Sequence, residues 1–304
     1  MNDLYKYRVN RFDNIVKSWK LKRMHDLMVN HKINEDLLYE LKQAIMLYIS
    51  RAFYFNYYED ENKFLKNLKD NISCKDNITP NGAVVPKKEY QLEYNIVLRT
   101  WAKVVGFIIK DDPTLLSKYR MTPNIRIKIP VNTKPDKRKL DTAWPHSDAW
   151  VEGPWGMNCY TPLIGDVDNN NLLFWELKNT SKFSDKFLNT SSTYEDMQWV
   201  LPYYKKAPNL APKKGNVHIS DYSLIHATNM VPGCGLRISI DTTIFVGDHG
   251  VHPDREIEYS DKILNFGEDV IISTNKSISD KIHTRKKSIF SHYTTGSLKL
   301  NALE

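Results

Sequence analysis

Cysteine is scarce in this chain: Cys74, Cys159 and Cys234 stand far apart and none belongs to a CxxC pair. That excludes a disulfide framework and a zinc site built from thiolates, and it points to a reducing compartment. Long apolar runs are missing as well. The most apolar stretch, residues 44–58, is interrupted by Arg51 and is too short to span a bilayer. Residues 1–20 are polar and charged, without the apolar centre of a signal peptide. The expectation is a soluble, cytoplasmic protein with no membrane partner. Concentrated basic charge is also lacking. The chain carries 43 Lys and Arg against 36 Asp and Glu, a net charge of +7. Its densest basic runs, 134–139, 205–214 and 281–287, hold only a few charges each. A nucleic-acid partner needs a stripe of charge able to release counterions. A scattered basic surface suits a small-molecule substrate instead, an anionic one included. There is no internal repeat, and nothing in the chain specifies an oligomeric state.

What is present is enough to build a large core. Apolar residues make up 41% of the chain and aromatics 12%. Residues 1–120 read as helical. The segment 34–58 opens on Asn34 as an N-cap, with Leu37, Leu38, Leu41, Ala44, Ile45 and Ile49 at helical spacing. A second helix is expected over 89–109, where Ile96, Val97, Trp101, Val104, Val105 and Ile108 form a broad apolar face. Residues 71–86, rich in Asn, Pro and Gly, read as a loop, and a short helix is expected around 113–119.

The texture changes at Pro123. Short β-type runs then alternate with turn residues up to Val246, which suits a sandwich or a barrel. Strands are expected over 125–130, 155–163, 171–177, 215–220 and 236–245. In Arg126-Ile127-Lys128-Ile129 the alternation is strict, so one face is polar and the other buried. The chain therefore divides into a helical N-terminal region (1–122), a β core (123–248) and a C-terminal extension (249–304), read as one integrated domain.

The chemistry-bearing residues lie in the β core. His146 and Asp148, two apart in Pro145-His146-Ser147-Asp148, share a face if the segment is extended. A neutral imidazole and a carboxylate fill two corners of the facial triad used for non-haem Fe(II). His226 can return on a later strand as the third ligand. Further on, Leu236-Arg237-Ile238-Ser239-Ile240 alternates, so Arg237 and Ser239 point one way together. Turned inward, Arg237 could grip a carboxylate with both arms of its fork while Ser239 adds a hydroxyl. His249 and His252 imitate a metal pair but sit in a Gly-rich loop, and His218 reads as an ordinary strand residue.

Over residues 123–248 the pattern His146-x-Asp148, His226, Arg237-x-Ser239 resembles the iron- and 2-oxoglutarate-dependent dioxygenases, particularly their phytanoyl-CoA hydroxylase-like branch. The resemblance implies a mostly β fold with α decoration: a double-stranded β-helix (jelly roll) buttressed by N-terminal helices. It implies Fe(II) held by His146, Asp148 and His226, with 2-oxoglutarate as cosubstrate and O2 as oxidant. Arg237 and Ser239 would bind the distal carboxylate of 2-oxoglutarate, and Arg126, Lys128, Asn158 and Tyr160 occupy strands that often touch cosubstrate or substrate in such enzymes. Because related halogenases place a small residue at the carboxylate position, Asp148 favours oxygen insertion or desaturation. Trp144, Trp150, Trp155 and Trp175 could gather at the mouth, with Glu152 in a loop beside the metal. The substrate is expected to be a polar small molecule such as a sugar, nucleoside or amino-acid derivative. Two alternatives stay open: a non-oxidative cupin-type metal enzyme such as an isomerase, which has no need of Arg237, and a metal-free binding protein on the same barrel.

Overall fold

Helix α1 (Asp3–Trp19) starts where the Asn2 side chain accepts from the Leu4 amide, and it ends where Lys20 turns left-handed. Its buried residues, Tyr5, Arg8, Phe12, Ile15 and Trp19, recur at helical spacing. A hairpin follows, β1 (Lys22–His25) and β2 (Met28–Lys32). Asn34 then caps α2 (Glu35–Ala52) by accepting from the Leu37 amide. Next come α3 (Glu61–Asn71) and α4 (Gln91–Ile109), the latter burying Val97, Trp101, Val104, Val105 and Ile108. The β-rich part comprises β3 (Leu116–Arg120), β4 (Asn124–Lys128), the single-turn helix α5 (Ala149–Glu152), β5 (Met157–Gly165), β6 (Asn170–Leu177), β7 (Tyr204–Ala207), β8 (Asn216–Asp221), β9 (Ile225–Met230) and β10 (Arg237–Val246). This is a computed structural model, and it describes residues 2–72, 77–120, 122–130, 138–247 and 263–264. Cys74, the basic run 281–287, most of the run 134–139, the His249/His252 pair and nearly all of the extension 249–304 lie outside the described residues.

The strands form two antiparallel sheets. The larger runs β1-β2-β8-β5-β10, and β10 then pairs with both β3 and β4; the smaller is β7-β6-β9. One apolar cluster joins helical residues such as Ile45, Tyr48 and Trp101 to Ile125, Ile127, Ile164, Ile238 and Ile240 of the larger sheet. With helices over one face and a second sheet over the other, every residue of β10 is buried. Among the described residues, no helix is long and apolar enough to cross a membrane.

Three expectations need correction. Residues 1–120 are not uniformly helical: β1 and β2 join the larger sheet through β8, where Val29 pairs with Ile219. Their sequence, polar in β1 and without alternation in β2, carries no strand signal until β8 is beside it. The short helix expected around 113–119 shrinks to one turn, Pro113–Leu115, because the next residues pair with the end of β10, Ile244 against Tyr119. Helix α2 stops at Ala52 rather than at residue 58, and Tyr54 adopts φ 59°.

Gly165 holds the end of β5 against β10. It has φ +84°, and a Cβ there would stand 2.2 Å from the Leu236 carbonyl oxygen, beside Arg237. Gly165→Ala is expected to destabilise the protein by about 1–3 kcal/mol. A fall in the thermal midpoint checks this, and an unchanged midpoint would show that the β5–β6 turn yields freely.

Candidate metal centre

A cavity of about 200 Å³ lies between the sheets, lined from β4, β5 and β10 on one side and from β6 and β9 on the other. Strand parity decides what faces it. On β10, Arg237, Asp241 and Thr243 lie on one parity and line it, joined by Thr242 near the strand's end, while Ile238, Ile240 and Ile244 turn to the core. On β4, Lys128 opposite Arg237, Arg126 opposite Ser239 and Asn124 opposite Asp241 line it as well, and Ile125 and Ile127 do not. The polar face of β4 thus looks into an interior cavity.

His146, Asp148 and His226 come together in its wall, one ligand atom of each lying within 4.8 Å of the others. The two histidines are joined through their backbones. The His146 amide donates to the His226 carbonyl at 2.9 Å, and the reverse bond is 2.8 Å. Asp148 arrives differently from the expected extended segment. It has helical φ −61° and ψ −25°, and its carbonyl accepts from the Glu152 amide at 2.9 Å, opening α5. Between the ligands, Ser147 Oγ donates to the Tyr222 carbonyl at 2.5 Å, tying this loop to the β8–β9 turn.

Each ring is oriented from behind. His146 Nδ1 lies 2.8 Å from the Trp144 carbonyl oxygen and His226 Nδ1 lies 3.3 Å from that of Leu224. An Nδ1–H donating to these carbonyls leaves Nε2 as the free lone pair, the tautomer a metal ligand requires. His226 Nε2 stands 3.9 Å from Asp148 Oδ2. Burial, then the neighbouring His226, pushes the His146 imidazolium well below its usual range, so the ring is neutral at pH 7. Burial raises the Asp148 carboxyl, and His226 opposes that rise. Two imidazoles and one carboxylate make a donor set of borderline nitrogen and hard oxygen, which fits Fe(II).

Deeper in the cavity, Arg237 is 1% exposed, and burial pushes its guanidinium down. Its Nε and Nη1 are buried without a hydrogen-bond acceptor. The Tyr160 ring lies 5.8 Å from the guanidinium carbon. Asn158 Nδ2 donates to Asp148 Oδ2 at 3.3 Å, and Lys128 Nζ donates to Thr142 Oγ1 at 2.8 Å. Arg126 Nε meets Asp241 Oδ1 at 2.7 Å. Glu152 lines the cavity and pairs with Arg120 at 2.8 Å. Ser239 shares Arg237's face of β10 but is fully buried and does not reach the cavity surface.

The tryptophans do not gather at the mouth. Trp150 is fully buried, and its indole N–H donates to the Phe187 carbonyl at 2.8 Å, so it serves the core. Trp175 is one residue out of phase: Phe174 is the partner of His226 in register and its ring faces that imidazole at 5.6 Å, which turns Trp175 to the opposite face. Trp144 packs against the apolar core and Trp155 lies beneath Arg8 of α1, so neither lines the cavity. Other residues take these places. Tyr194 stacks on His146 at 4.3 Å with planes 22° apart, and it comes from an irregular segment with no sequence signal. Tyr222, Asn124, Asp241 and Thr243 also line the cavity. Of these, Asp241 and Thr243 were within reach of the sequence, since they continue the parity of Arg237 and Ser239.

No family model matches the chain, and no curated protein matches it. Solved structures similar to it include the non-heme alpha-ketoglutarate-dependent carbocyclase SnoK from nogalamycin biosynthesis, at 10% identity and TM-score 0.44, covering 82% of this chain and 89% of that one. AviO1 from Streptomyces viridochromogenes Tue57 is similar at 13% identity and TM-score 0.43, covering 80% and 98%. An N-substituted L-amino acid dioxygenase from Burkholderia ambifaria AMMD is similar at 11% identity and TM-score 0.35, covering 74% and 85%. At this level of likeness, the assignment rests on the chemistry of the site itself.

Proposed function

We propose that this protein is an Fe(II)- and 2-oxoglutarate-dependent oxygenase of the phytanoyl-CoA hydroxylase-like branch, its two sheets forming a double-stranded β-helix. The observation that carries this reading is Arg237. A buried guanidinium with two unmatched N–H groups costs several kcal/mol unless an anion enters beside it. It shares one cavity with the two-histidine, one-carboxylate cluster, so a ligand with a carboxylate at one end and a metal chelate at the other satisfies both.

His146, Asp148 and His226 would hold the metal, and Arg237 would fix the far carboxylate of 2-oxoglutarate. Once bound, iron and 2-oxoglutarate supply oxidising chemistry with O2, yielding succinate and CO2. Tyr194 and Phe174 cover the imidazoles and keep water from their faces. Asn124, Glu152 and Asp241 offer polar contacts to a small polar substrate that is hydroxylated or otherwise oxidised.

Anaerobic titration of the metal-free protein with Fe(II) and then 2-oxoglutarate tests this. The expected result is the weak visible charge-transfer band of the chelate, present in the wild type and lost in Arg237→Ala. Iron binding with no band in the wild type would transfer the assignment to a cupin-type enzyme without 2-oxoglutarate.

A further inference from the structure

The cavity continues past the metal cluster to an end remote from Arg237. Thr242 lies roughly 17 Å along β10 from Arg237, at about 3.4 Å per residue, and its Oγ1 donates to the Arg120 carbonyl. Arg120 of β3, Glu152 of α5, Asn124 of β4 and Asp241 of β10 line this part, with the rings of Tyr194 and Tyr222. Its charges are matched one to one. Arg120 Nη2 stands 2.8 Å from Glu152 Oε2, and Arg126 Nε stands 2.7 Å from Asp241 Oδ1. Both pairs are shielded, since the four side chains are only 10% to 27% exposed. A charged ligand entering here loses its hydration and meets, among the described residues, only opposite charges that are already taken.

Neutral hydrogen-bonding capacity is what this end leaves open. Each carboxylate keeps lone pairs beyond those its arginine uses. Asn124 Nδ2 donates to Asp241 Oδ2 at 2.9 Å, which leaves Asn124 Oδ1 to accept from a ligand. Tyr194 is 7% exposed, and its hydroxyl makes no hydrogen bond among the described residues. That hydroxyl stands within electrostatic range of Asp148, Arg126 and Glu152. The segment carrying it is pinned beside the metal loop: the Tyr194 amide donates to the Lys139 carbonyl at 2.9 Å, and Gln198 Nε2 to that of Pro145 at 2.9 Å. A phenol donor, carboxylate and amide acceptors and two aromatic rings together suit hydroxyl groups set around a ring.

We propose that the substrate is a neutral, polyhydroxylated ring compound of the sugar class, selected against its charged relatives by the Arg120–Glu152 and Arg126–Asp241 pairs, with the Tyr194 hydroxyl donating to it beside the metal. This rests on the 2-oxoglutarate reading above and deepens it: Arg237 and the metal cluster take the cosubstrate, and the remote end takes the substrate. The two pairs act as a charge filter. Removing one carboxylate adds a net positive charge to this end, which an anionic relative of the substrate neutralises, and removing Arg120 does the reverse. Preference therefore follows the sign of the charge left behind. A merely structural role for the pairs would change stability without changing the choice among ligands of one shape.

The test is calorimetry on the full chain loaded anaerobically with Mn(II) and 2-oxoglutarate. The probes are a set of methyl glycosides at millimolar concentration, each with its uronate and its amino-sugar counterpart. Wild type is expected to bind at least one methyl glycoside about tenfold or more tighter than either charged counterpart. In Glu152→Gln the preference shifts toward the uronate, and in Arg120→Gln toward the amino sugar, each by about tenfold or more. Asp241→Asn makes the same charge step on β10 and stands in where Glu152→Gln does not fold. Tyr194→Phe is expected to weaken the neutral glycoside about 2–10-fold, and an undiminished affinity would overturn that contact. The inference is overturned if 2-oxoglutarate binds but no neutral glycoside does, if a charged counterpart binds best, or if both carboxylate variants keep the wild-type preference; in each case the parent reading stands. If wild type fails to bind 2-oxoglutarate, the parent reading falls and this inference with it.

Discussion

Replacing His226 by alanine is expected to weaken Fe(II) or Mn(II) binding by more than about 100-fold, above the roughly 10–100-fold typical of losing only an outer hydrogen-bond partner. The fold is expected to survive. The structural share of His226 is its backbone bridge to His146, with hydrogen bonds of 2.9 and 2.8 Å, and alanine keeps both. Metal binding also carries stability, because its ligands come from distant points of the chain. At a free metal concentration of about 100 times Kd the native state gains roughly 2.7 kcal/mol. In a protein of this size that is a rise of roughly 5–10 °C in thermal midpoint. Wild type should show this rise under anaerobic conditions and His226→Ala should not. The same rise in both proteins would remove His226 from the ligand set.

Asp221→Ala is expected to cost about 3–5 kcal/mol, lowering the thermal midpoint by roughly 6–20 °C. Asp221 lies at the end of β8, its side chain fully buried. Arg8 Nη1 is 2.5 Å from Oδ1, and Arg11 Nη1 is 3.5 Å from Oδ2. The same arginines reach the carbonyls of Pro154 (Arg8, 2.7 Å) and Trp155 (Arg11, 2.9 Å). Helix α1 thereby clamps both segments that flank the metal ligands, the loop after α5 and the turn before His226. Removing the carboxylate strands two buried cations, whereas Arg8→Met and Arg11→Met together with Asp221→Leu remove the desolvation cost on both sides. The triple variant is expected to recover most of the stability. Because the Ser223 amide donates to Asp221 Oδ1 at 2.8 Å, Asp221→Ala should also loosen the turn and weaken metal binding, less than His226→Ala does. Chemical denaturation of the two variants decides the matter, and equal stability for Asp221→Ala and wild type would show that the arginines find water instead.

Local rules carried much of the fold. Helix α2 begins at the Asn34 cap, and α4 buries the apolar face that its spacing marks out. Strands β4, β5, β6, β8 and β10 lie where alternation and turn residues place them. Helix α3 escaped because only Phe64 and Leu68 of it are buried among charged neighbours, too narrow a stripe to register as periodic. Strands β1, β2 and β7 escaped because pairing partners far away in the sequence make them strands.

The same division runs through the site. The sequence by itself determined the residue types of the site and the strand parity of β4 and β10, so that Arg126 shares a face with Lys128 and Arg237 with Asp241, because two-residue alternation is a local property of a strand; that Asp148 reaches His146 and His226 from a helical turn came from the fold. Only the tertiary structure decided which side of each sheet is covered, and hence that the polar face of β4 lies inside. It also decided that Tyr194 stacks on His146 while Trp150 and Trp175 turn away from the cavity. Such choices depend on how a second sheet and an irregular segment close over the first, which is set by packing between residues remote in the chain and leaves no periodic trace in it.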